Sequence, residues 1–316
     1  MGILSGIKES TEDQYAKIMA QLQSRWAKEI GEDTEELPWR ERPMEFCHWF
    51  GEMVAKRQWS KPTFWLYRAA CIWYFLKNGP VEAVSLIKSF QGTHLQKKGA
   101  GTSSRKMKKL NGKILEELLW KLKLNTGKED IDIFIANWLE AGCISGLRPI
   151  EWKDASFDVK TNTLIVKNAK FNQWRANGEC RRIIYDSKLH HNEIIILQRF
   201  LSDRDKKTKH ETFESLYQRC RKRLWYVGSV LWPRASFKPS LYSARHQFAA
   251  NIKKAGLTKT QVAALMGHKS DLTATYHYAR KCSGLEMLPP SSPAVEVENV
   301  IKKDGHKITL NNKKGN

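Results

Sequence analysis

One stretch constrains the fold of this chain more than any other: residues 239–282, PSLYSARHQFAANIKKAGLTKTQVAALMGHKSDLTATYHYARKC. Its apolar spacing predicts a helix over 243–254 that stops at Gly256, a residue suited to the left-handed position after a helix. A second helix opens at Thr258, with Gln261 three residues later in the spacing of a capping box. We expect the polar side chains at the turns and helix ends of residues 239–282 to lie close to one another.

Three of those polar residues come in a defined order: Arg245, then His268 after a glycine, then Tyr278 ten residues after the histidine. A second block, SGLRPIEW, carries Arg148, 97 residues before Arg245. The order and spacing of the two blocks resemble the tyrosine recombinases, the phage-integrase family. The resemblance covers residues 109–288, and more loosely the helical region before them.

The residue types in these blocks suit attack on a phosphodiester. Tyrosine is a weak nucleophile at neutral pH, because its ordinary pKa is about 10. Arg148 and Arg245 can bind the transition state through planar, permanently charged forks, and His268 can bond the same phosphate or move a proton. The resemblance also implies a lysine that protonates the leaving 5′ oxygen from a β-hairpin; Lys170 fits best and Lys167 is the alternative.

Two tyrosines follow His268, and helix geometry separates them. Tyr276 lies four residues after Leu272 and three before Ala279, so it shares their apolar face. Tyr278 lies about 200° further round the helix, on the other face. We therefore predict Tyr278 as the nucleophile and Tyr276 as a packing residue.

One position departs from the family's pattern. The usual second histidine, three residues before Arg245, is Tyr242 here. A phenol can donate a hydrogen bond to a phosphate oxygen but cannot become a cation near neutral pH. We retain Tyr242 in the predicted catalytic set and expect the adjacent His246 to be structural. Glu151, three residues after Arg148, is placed to orient that arginine.

The charge balance indicates a polyanion as partner. The chain has 54 basic and 33 acidic residues, a net charge of +21. A uniformly solvated basic surface is the alternative interpretation. The candidate DNA-contacting residues are Lys56, Arg57, Lys61, Arg68, Lys97, Lys98, Arg105, Lys106, Arg219, Arg221 and Lys222.

Composition and the resemblance together divide the chain into five predicted segments. These are an N-terminal helical arm (1–36), a helical core-binding domain (37–91), a basic linker (92–108), a catalytic domain (109–288) and a C-terminal tail (289–316). The predicted fold class is mainly α with a small β-sheet, an α+β fold, and the resemblance implies a C-shaped clamp around DNA. The many tryptophans of the second segment favour core packing over a platform that stacks bases.

Within the catalytic segment, the pattern predicts a hairpin of strands 163–167 and 181–185, and helices over 192–201 and 212–225. The tail alternates Val295 and Val297 with charged residues, which allows short strands or a disordered basic tail.

Several functional classes are excluded or disfavoured. There is no run of about 18 apolar residues, so no membrane span is expected. The six cysteines form no CxxC pair, which predicts free thiols in a reducing cytoplasm and no zinc site. No glycine-rich phosphate loop or carboxylate cluster for magnesium occurs, so neither cofactor nor metal is expected.

The resemblance implies a site-specific DNA recombinase that cuts and rejoins strands through a 3′-phosphotyrosine. It implies double-stranded DNA as partner, a tetramer on two DNA sites, and accessory DNA-bending proteins. Two alternatives remain: a type IB topoisomerase-like enzyme that relaxes DNA, and a DNA-binding regulator without catalysis.

Overall fold

A computed structural model describes most of the chain. The described residues are 9–31, 41–56, 58–95, 107, 110, 112–124, 130–169, 171, 176–273, 278 and 280–302. The chain separates into two compact units, Met1–Ser104 and Arg105–Asn316. No helix among the described residues combines the length and apolar character that crossing a bilayer requires.

The first unit is helical. Its helices are α1 (Glu9–Ile30), α2 (Pro43–Ala55), α3 (Lys61–Asn78) and α4 (Val81–Ser89). Helix α1 packs on α2 and α3 through an apolar stripe that includes Ile18 and Trp26. Phe46 is fully buried and its ring centroid lies 5.7 Å from that of Trp26. The aromatic residues of this unit therefore form a core, although Trp65 remains 41% exposed.

The second unit combines helices with a small sheet. Its helices are α5 (Gly112–Leu124), α6 (Asp130–Ser145), α7 (His191–Thr208), α8 (Phe213–Leu231), α9 (Leu241–Lys254), α10 (Lys259–Leu265) and α11 (Ala294–Glu298). The strands β1 (Ser156–Asp158), β2 (Thr163–Lys167) and β3 (Cys180–Ile184) form an antiparallel sheet in that order. Leu164 pairs with Ile183, and both are fully buried. The predicted fold class, mainly α with a small β-sheet, is confirmed.

The local predictions differ in accuracy. The predicted hairpin is present, and Thr258 caps α10 as expected by accepting from the Gln261 backbone N–H at 3.3 Å. Helices α7 and α8 are longer than predicted, and the short strand β1 has no counterpart among the predictions. Charged residues such as Lys206 and Lys207 extend α7 beyond the apolar pattern, whereas the uncharged residues 226–231 extend α8.

Neither alternative given for Val295 and Val297, a short strand or a disordered tail, is observed. Residues Ala294–Glu298 form α11, preceded by Pro293. Val297 and Val300, three residues apart, pack together on Ala263 and Ala264. Residues three apart lie on the same side of a helical turn, whereas in a strand they would lie on opposite faces. The contact with Ala263 and Ala264 therefore favours the helix over the strand that alternating valines and charges would allow.

Candidate active site

Arg148 lies in the loop that directly follows helix α6. Gly146, just past that helix, has φ +67°, and a Cβ there would lie 2.1 Å from the Phe248 ring. Only glycine satisfies both the backbone conformation and the close approach. The chain then enters a 3₁₀ turn at Pro149–Lys153, where the Glu151 carboxylate accepts the backbone N–H of Arg148 at 2.8 Å.

Three arginines surround the Glu151 carboxylate. Arg148 Nη1 donates to it at 2.5 Å and Arg181 Nη2 at 2.8 Å, and Arg245 Nη1 lies 3.7 Å away. We call Arg148, Glu151, Arg181 and Arg245 the arginine cluster. Burial alone would raise the pKa of Glu151, but the three guanidiniums outweigh burial and hold the pKa well below its ordinary value. Glu151 is therefore ionised and orients Arg148, as its position predicts.

Arg245, on α9, contacts residues of both sequence blocks, the one around Arg148 and the one that contains His268 and Tyr278. It is fully buried, and its Nη1 donates to the Gly146 carbonyl at 2.5 Å. Its Nη2 donates to the Met266 carbonyl at 2.6 Å and lies 3.0 Å from His268 Nε2. Its Nε donates to the Tyr278 hydroxyl at 3.0 Å. A single guanidinium thus contacts the Arg148 loop, the histidine and the tyrosine.

The Tyr278 hydroxyl lies among groups that favour its ionisation. Burial alone would raise its pKa, but the guanidiniums of Arg245 and Arg148 outweigh burial and bring the pKa below the ordinary value. The Tyr242 hydroxyl lies 2.9 Å from that of Tyr278, and burial raises the pKa of Tyr242 to about 12. Either hydroxyl can donate in this hydrogen bond, but Tyr278 has the lower pKa of the two, which makes its oxygen the better nucleophile.

His268 is held as a neutral imidazole. Burial, together with the nearby guanidiniums of Arg245 and Arg148, puts its pKa well below the ordinary value. Its Nε2 accepts from Arg245, so Nδ1 carries the proton. The preceding Gly267 has φ +64°, and a Cβ there would lie 2.4 Å from Asn168 Oδ1. The glycine before the histidine is thus required by this close approach.

Two buried nitrogens of the site have no hydrogen-bond partner among the described residues: Arg148 Nε and His268 Nδ1. Buried polar groups are normally paired, so such atoms mark places where a bound ligand can accept a hydrogen bond. The ring of His246 lies 4.9 Å from that of Tyr278, centroid to centroid, and is buried as well. Among the described residues, no three His, Cys, Asp or Glu side chains are grouped as metal ligands would be.

Sequence reasoning missed Arg181 and Asn168. Arg181 is 1% exposed, and its Nη1 donates to Asn168 Oδ1. A signal was present, because the strand alternates and Arg181 falls on the same face as the buried Ile183 and Tyr185. A charged residue on the inward face of a strand indicates a buried partner, but its identity could not be derived from spacing.

Several predicted site residues lie outside the described residues. They are Lys170, Arg57, Lys97, Lys98, Arg105 and Lys106, and Tyr276 is outside as well. The alternative to Lys170 is described: Lys167 ends β2 with an exposed side chain and lies 3.9 Å from Glu179.

The remaining predicted DNA contacts have varied surroundings. In the first unit, Lys56 is exposed and pairs with Glu52 at 2.9 Å, and Lys61 begins α3. Arg68 donates to the carbonyls of Ile87 and Lys88, so much of its hydrogen-bonding capacity serves the end of α4.

In the second unit, Arg219 pairs with Glu211 at 2.5 Å. Arg221 and Lys222 are exposed on α8. These two side chains keep their charges at the surface, where they can meet a phosphate backbone.

The C-terminal segment is attached beside the site. Glu296 accepts from the backbone N–H and the side chain of Arg182, with Arg182 Nε at 3.0 Å. Ile301 donates its N–H to the Lys269 carbonyl at 2.8 Å and accepts from Asp271 at 3.3 Å. The segment thus borders the residues directly after His268.

Comparisons with known proteins find similar solved structures only. No family model matches the chain, and no curated protein does. The chain is similar to XerA recombinase at 13% identity, covering 88% of this chain and 90% of that one with a TM-score of 0.39.

Two further solved structures are similar. The Tn1549 transposon integrase in complex with transposon right end DNA matches at 14% identity, covering 84% of this chain and 96% of that one with a TM-score of 0.46. A lambda integrase tetramer bound to a Holliday junction matches at 15% identity, covering 90% and 80%, with a TM-score of 0.37.

Proposed function

We propose that this chain is a site-specific DNA recombinase of the tyrosine recombinase type, which cleaves and rejoins DNA strands through a 3′-phosphotyrosine. One observation carries the proposal. The hydroxyl of Tyr278 accepts from Arg245 Nε at 3.0 Å, and Arg245 also contacts His268 and the loop that carries Arg148. The residues that resemble the family's two blocks thus converge on one phenol.

The charge of the arginine cluster suits the transition state. Its three guanidiniums and one carboxylate leave a net charge of +2. A phosphodiester carries one negative charge, and the pentavalent species formed by attack of a phenolate carries two. A preorganised dicationic site therefore binds the transition state more tightly than the substrate, which accelerates the reaction.

The reaction balances without a cofactor. The Tyr278 oxygen loses its proton and bonds to phosphorus, the bond from phosphorus to the 5′ oxygen breaks, and that oxygen takes up a proton. We assign the phenol proton to neutral His268, whose pKa rises as negative charge develops on the phosphate beside it. Lys170 is the proposed donor to the 5′ oxygen, with Lys167 as the alternative. Attack by a 5′-hydroxyl on the phosphotyrosine reverses these steps and rejoins a strand.

The proposal extends to the partners. Double-stranded DNA is the substrate, held in part by basic side chains such as Arg221 and Lys222. Because recombination exchanges four strands, four copies of the chain would act on two sites, with accessory DNA-bending proteins as further participants. We expect the chain to act in the cytoplasm, at the nucleoid, if its DNA substrate is chromosomal.

The test is covalent capture. The chain is incubated with a library of duplexes that carry a randomised core and a nick, so that the short fragment released by cleavage diffuses away and the adduct cannot reverse. Denaturation, sequencing of the attached DNA and peptide mapping should place a phosphoryl group on the Tyr278 peptide, on a defined DNA sequence. A complete lack of adduct would leave the non-catalytic regulator as the better hypothesis.

A second measurement separates recombination from relaxation. A supercoiled plasmid that carries one copy of the captured sequence is compared with a plasmid that carries two. A recombinase gives new products only with two copies. Rapid relaxation of the one-copy plasmid, with no recombinant product from the other, would favour the topoisomerase-like alternative.

A further inference from the structure

Arg181 is the one arginine of the cluster without a direct task in the proposed reaction. It lies on β3 and is 1% exposed, facing inward with Ile183. Its Nη2 donates to Glu151 at 2.8 Å, its Nε donates to the Leu265 carbonyl at 3.0 Å, and its Nη1 donates to Asn168. All three nitrogens are therefore occupied by protein partners, each on a different segment of the chain.

Two of these partners adjoin residues of the site. Glu151 is also the carboxylate that holds Arg148, through Nη1 at 2.5 Å and the backbone N–H at 2.8 Å. Leu265 is the last residue of α10, and Met266, Gly267 and His268 follow it. A Cβ at Gly267 would lie 2.9 Å from Arg181 Nη1. The backbone just before His268 therefore packs directly against the Arg181 side chain.

The energetics argue against a purely stabilising purpose. Taking a guanidinium out of water is costly, and an apolar side chain of similar volume often stabilises a fold as well or better. A buried arginine whose fork joins separate segments is instead suited to fixing distances, because its donors have a rigid planar arrangement. A lysine has a single nitrogen and cannot span the same three acceptors with that geometry.

We propose that Arg181 is a positioning residue for phosphoryl transfer, which holds the Arg148 turn and the His268 turn at the separation that the transition state requires. This inference rests on the proposed function of the site. It assigns Arg181 no contact with DNA and no proton transfer. Its effect passes through Glu151 on one side and through the end of α10 on the other.

The test compares Arg181→Lys and Arg181→Met with Arg223→Lys. Arg223 is a matched control, because it donates through Nε and Nη2 to the buried Asp132 at 2.8 and 2.7 Å in the same unit. The rate of adduct formation is measured in single turnover with saturating captured duplex, below the melting temperature of each variant. Arg181→Lys should be slower by about 100-fold, the size of a small misplacement of reacting groups. Arg223→Lys should match the wild type at a comparable melting temperature.

A second readout needs no DNA. The Tyr278 phenol is titrated by NMR on protein labelled at tyrosine Cζ, with Tyr278→Phe to assign its signal. Arg181→Met should raise the pKa of Tyr278, since a cation is lost and two others are displaced, and Arg223→Lys should leave it unchanged. If wild-type protein captured no duplex at all, the proposed function would fail while this titration still tested Arg181.

The route through Glu151 is tested by a double variant. Arg181→Lys combined with Glu151→Gln should be no slower than the worse single variant, because both break one connection. Fully additive losses would contradict that route. A wild-type adduct rate in Arg181→Lys, or an unchanged Tyr278 pKa in Arg181→Met, would overturn the inference.

Discussion

The two units of this chain bury different kinds of side chain. In the first, fully buried residues such as Phe46 and Phe50 are aromatic, and Gln23 is the one buried polar side chain among the described residues of that unit. In the second, Arg245 and Glu151 are buried within a group of charged residues. The first core follows from hydrophobic burial alone, whereas the second contains groups that burial disfavours.

The difference distinguishes residues that stabilise the fold from residues that stabilise it little and are suited to chemistry. Burying apolar surface stabilises a fold by roughly 25 cal/mol per Å². Burying several arginines around one carboxylate gives little net stability, because desolvation opposes the attraction between charges. A fold that keeps such a cluster therefore indicates a function for it, and the function we propose is the stabilisation of negative charge that develops on a phosphate.

The largest expected effect is at the nucleophile. Tyr278→Phe should abolish the covalent protein–DNA adduct, because it removes the attacking oxygen and leaves the ring in place. Tyr276→Phe should retain the adduct, since its hydroxyl contributes at most about 1 kcal/mol to stability. Denaturing gels with the nicked duplex measure both. An adduct that survives the first change and disappears with the second would reverse the assignment of the two tyrosines.

The aromatic core should respond to truncation with a large loss of stability. Phe46 is fully buried and its ring contacts those of Trp26, Trp49 and Phe75. Phe46→Ala should reduce the free energy of unfolding by about 3–5 kcal/mol. Trp65→Ala, at a half-exposed aromatic, is the control and should cost much less in chemical denaturation. Equal losses would show that exposed ring contacts matter as much as the core.

The charged core should respond to a conservative change with a loss of rate. Arg245→Lys keeps a cation but loses the fork that contacts Tyr278 and the Gly146 carbonyl. Adduct formation should slow by about 10²–10³-fold, the size of a lost transition-state donor, while affinity for the duplex stays close to that of wild type. Arg223→Lys is the control, because Arg223 pairs with Asp132, which is not part of the arginine cluster. Parallel losses of affinity and rate would assign Arg245 to DNA holding instead.

The same contrast explains what the sequence could predict. The aromatic core follows from helical spacing, and helix α1 (Glu9–Ile30) lies within the predicted helical arm, 1–36. Arg148, Arg245, His268 and Tyr278 could be selected because residue types and order suffice to resemble a known pattern. The structure adds that one guanidinium, that of Arg245, contacts both the histidine and the tyrosine.

Other features depend on contacts that no local pattern encodes. Arg181 bonds Leu265, 84 residues away, and Glu151, 30 residues away, so its role could not be derived from its neighbours in sequence. The tail at Val295 and Val297 alternates over too few residues to distinguish strand from helix. Its packing on α10 determines the outcome, and that packing is a tertiary contact.

The smallest expected effect concerns pH and His268. The pKa of this histidine lies well below its ordinary value in the folded chain, because the site is buried and cationic. In the unfolded chain it returns to about 6.5. Below that pH the unfolded state binds a proton that the folded state does not, so folding stability should fall as the pH falls.

His268→Gln keeps an acceptor for Arg245 but does not titrate. The free energy of unfolding of wild type minus that of His268→Gln should therefore decrease from pH 7 to pH 5.5, by at most about 1.4 kcal/mol per pH unit. Chemical denaturation at both pH values measures it; a constant difference would mean that His268 titrates normally and that the charged core does not hold it neutral.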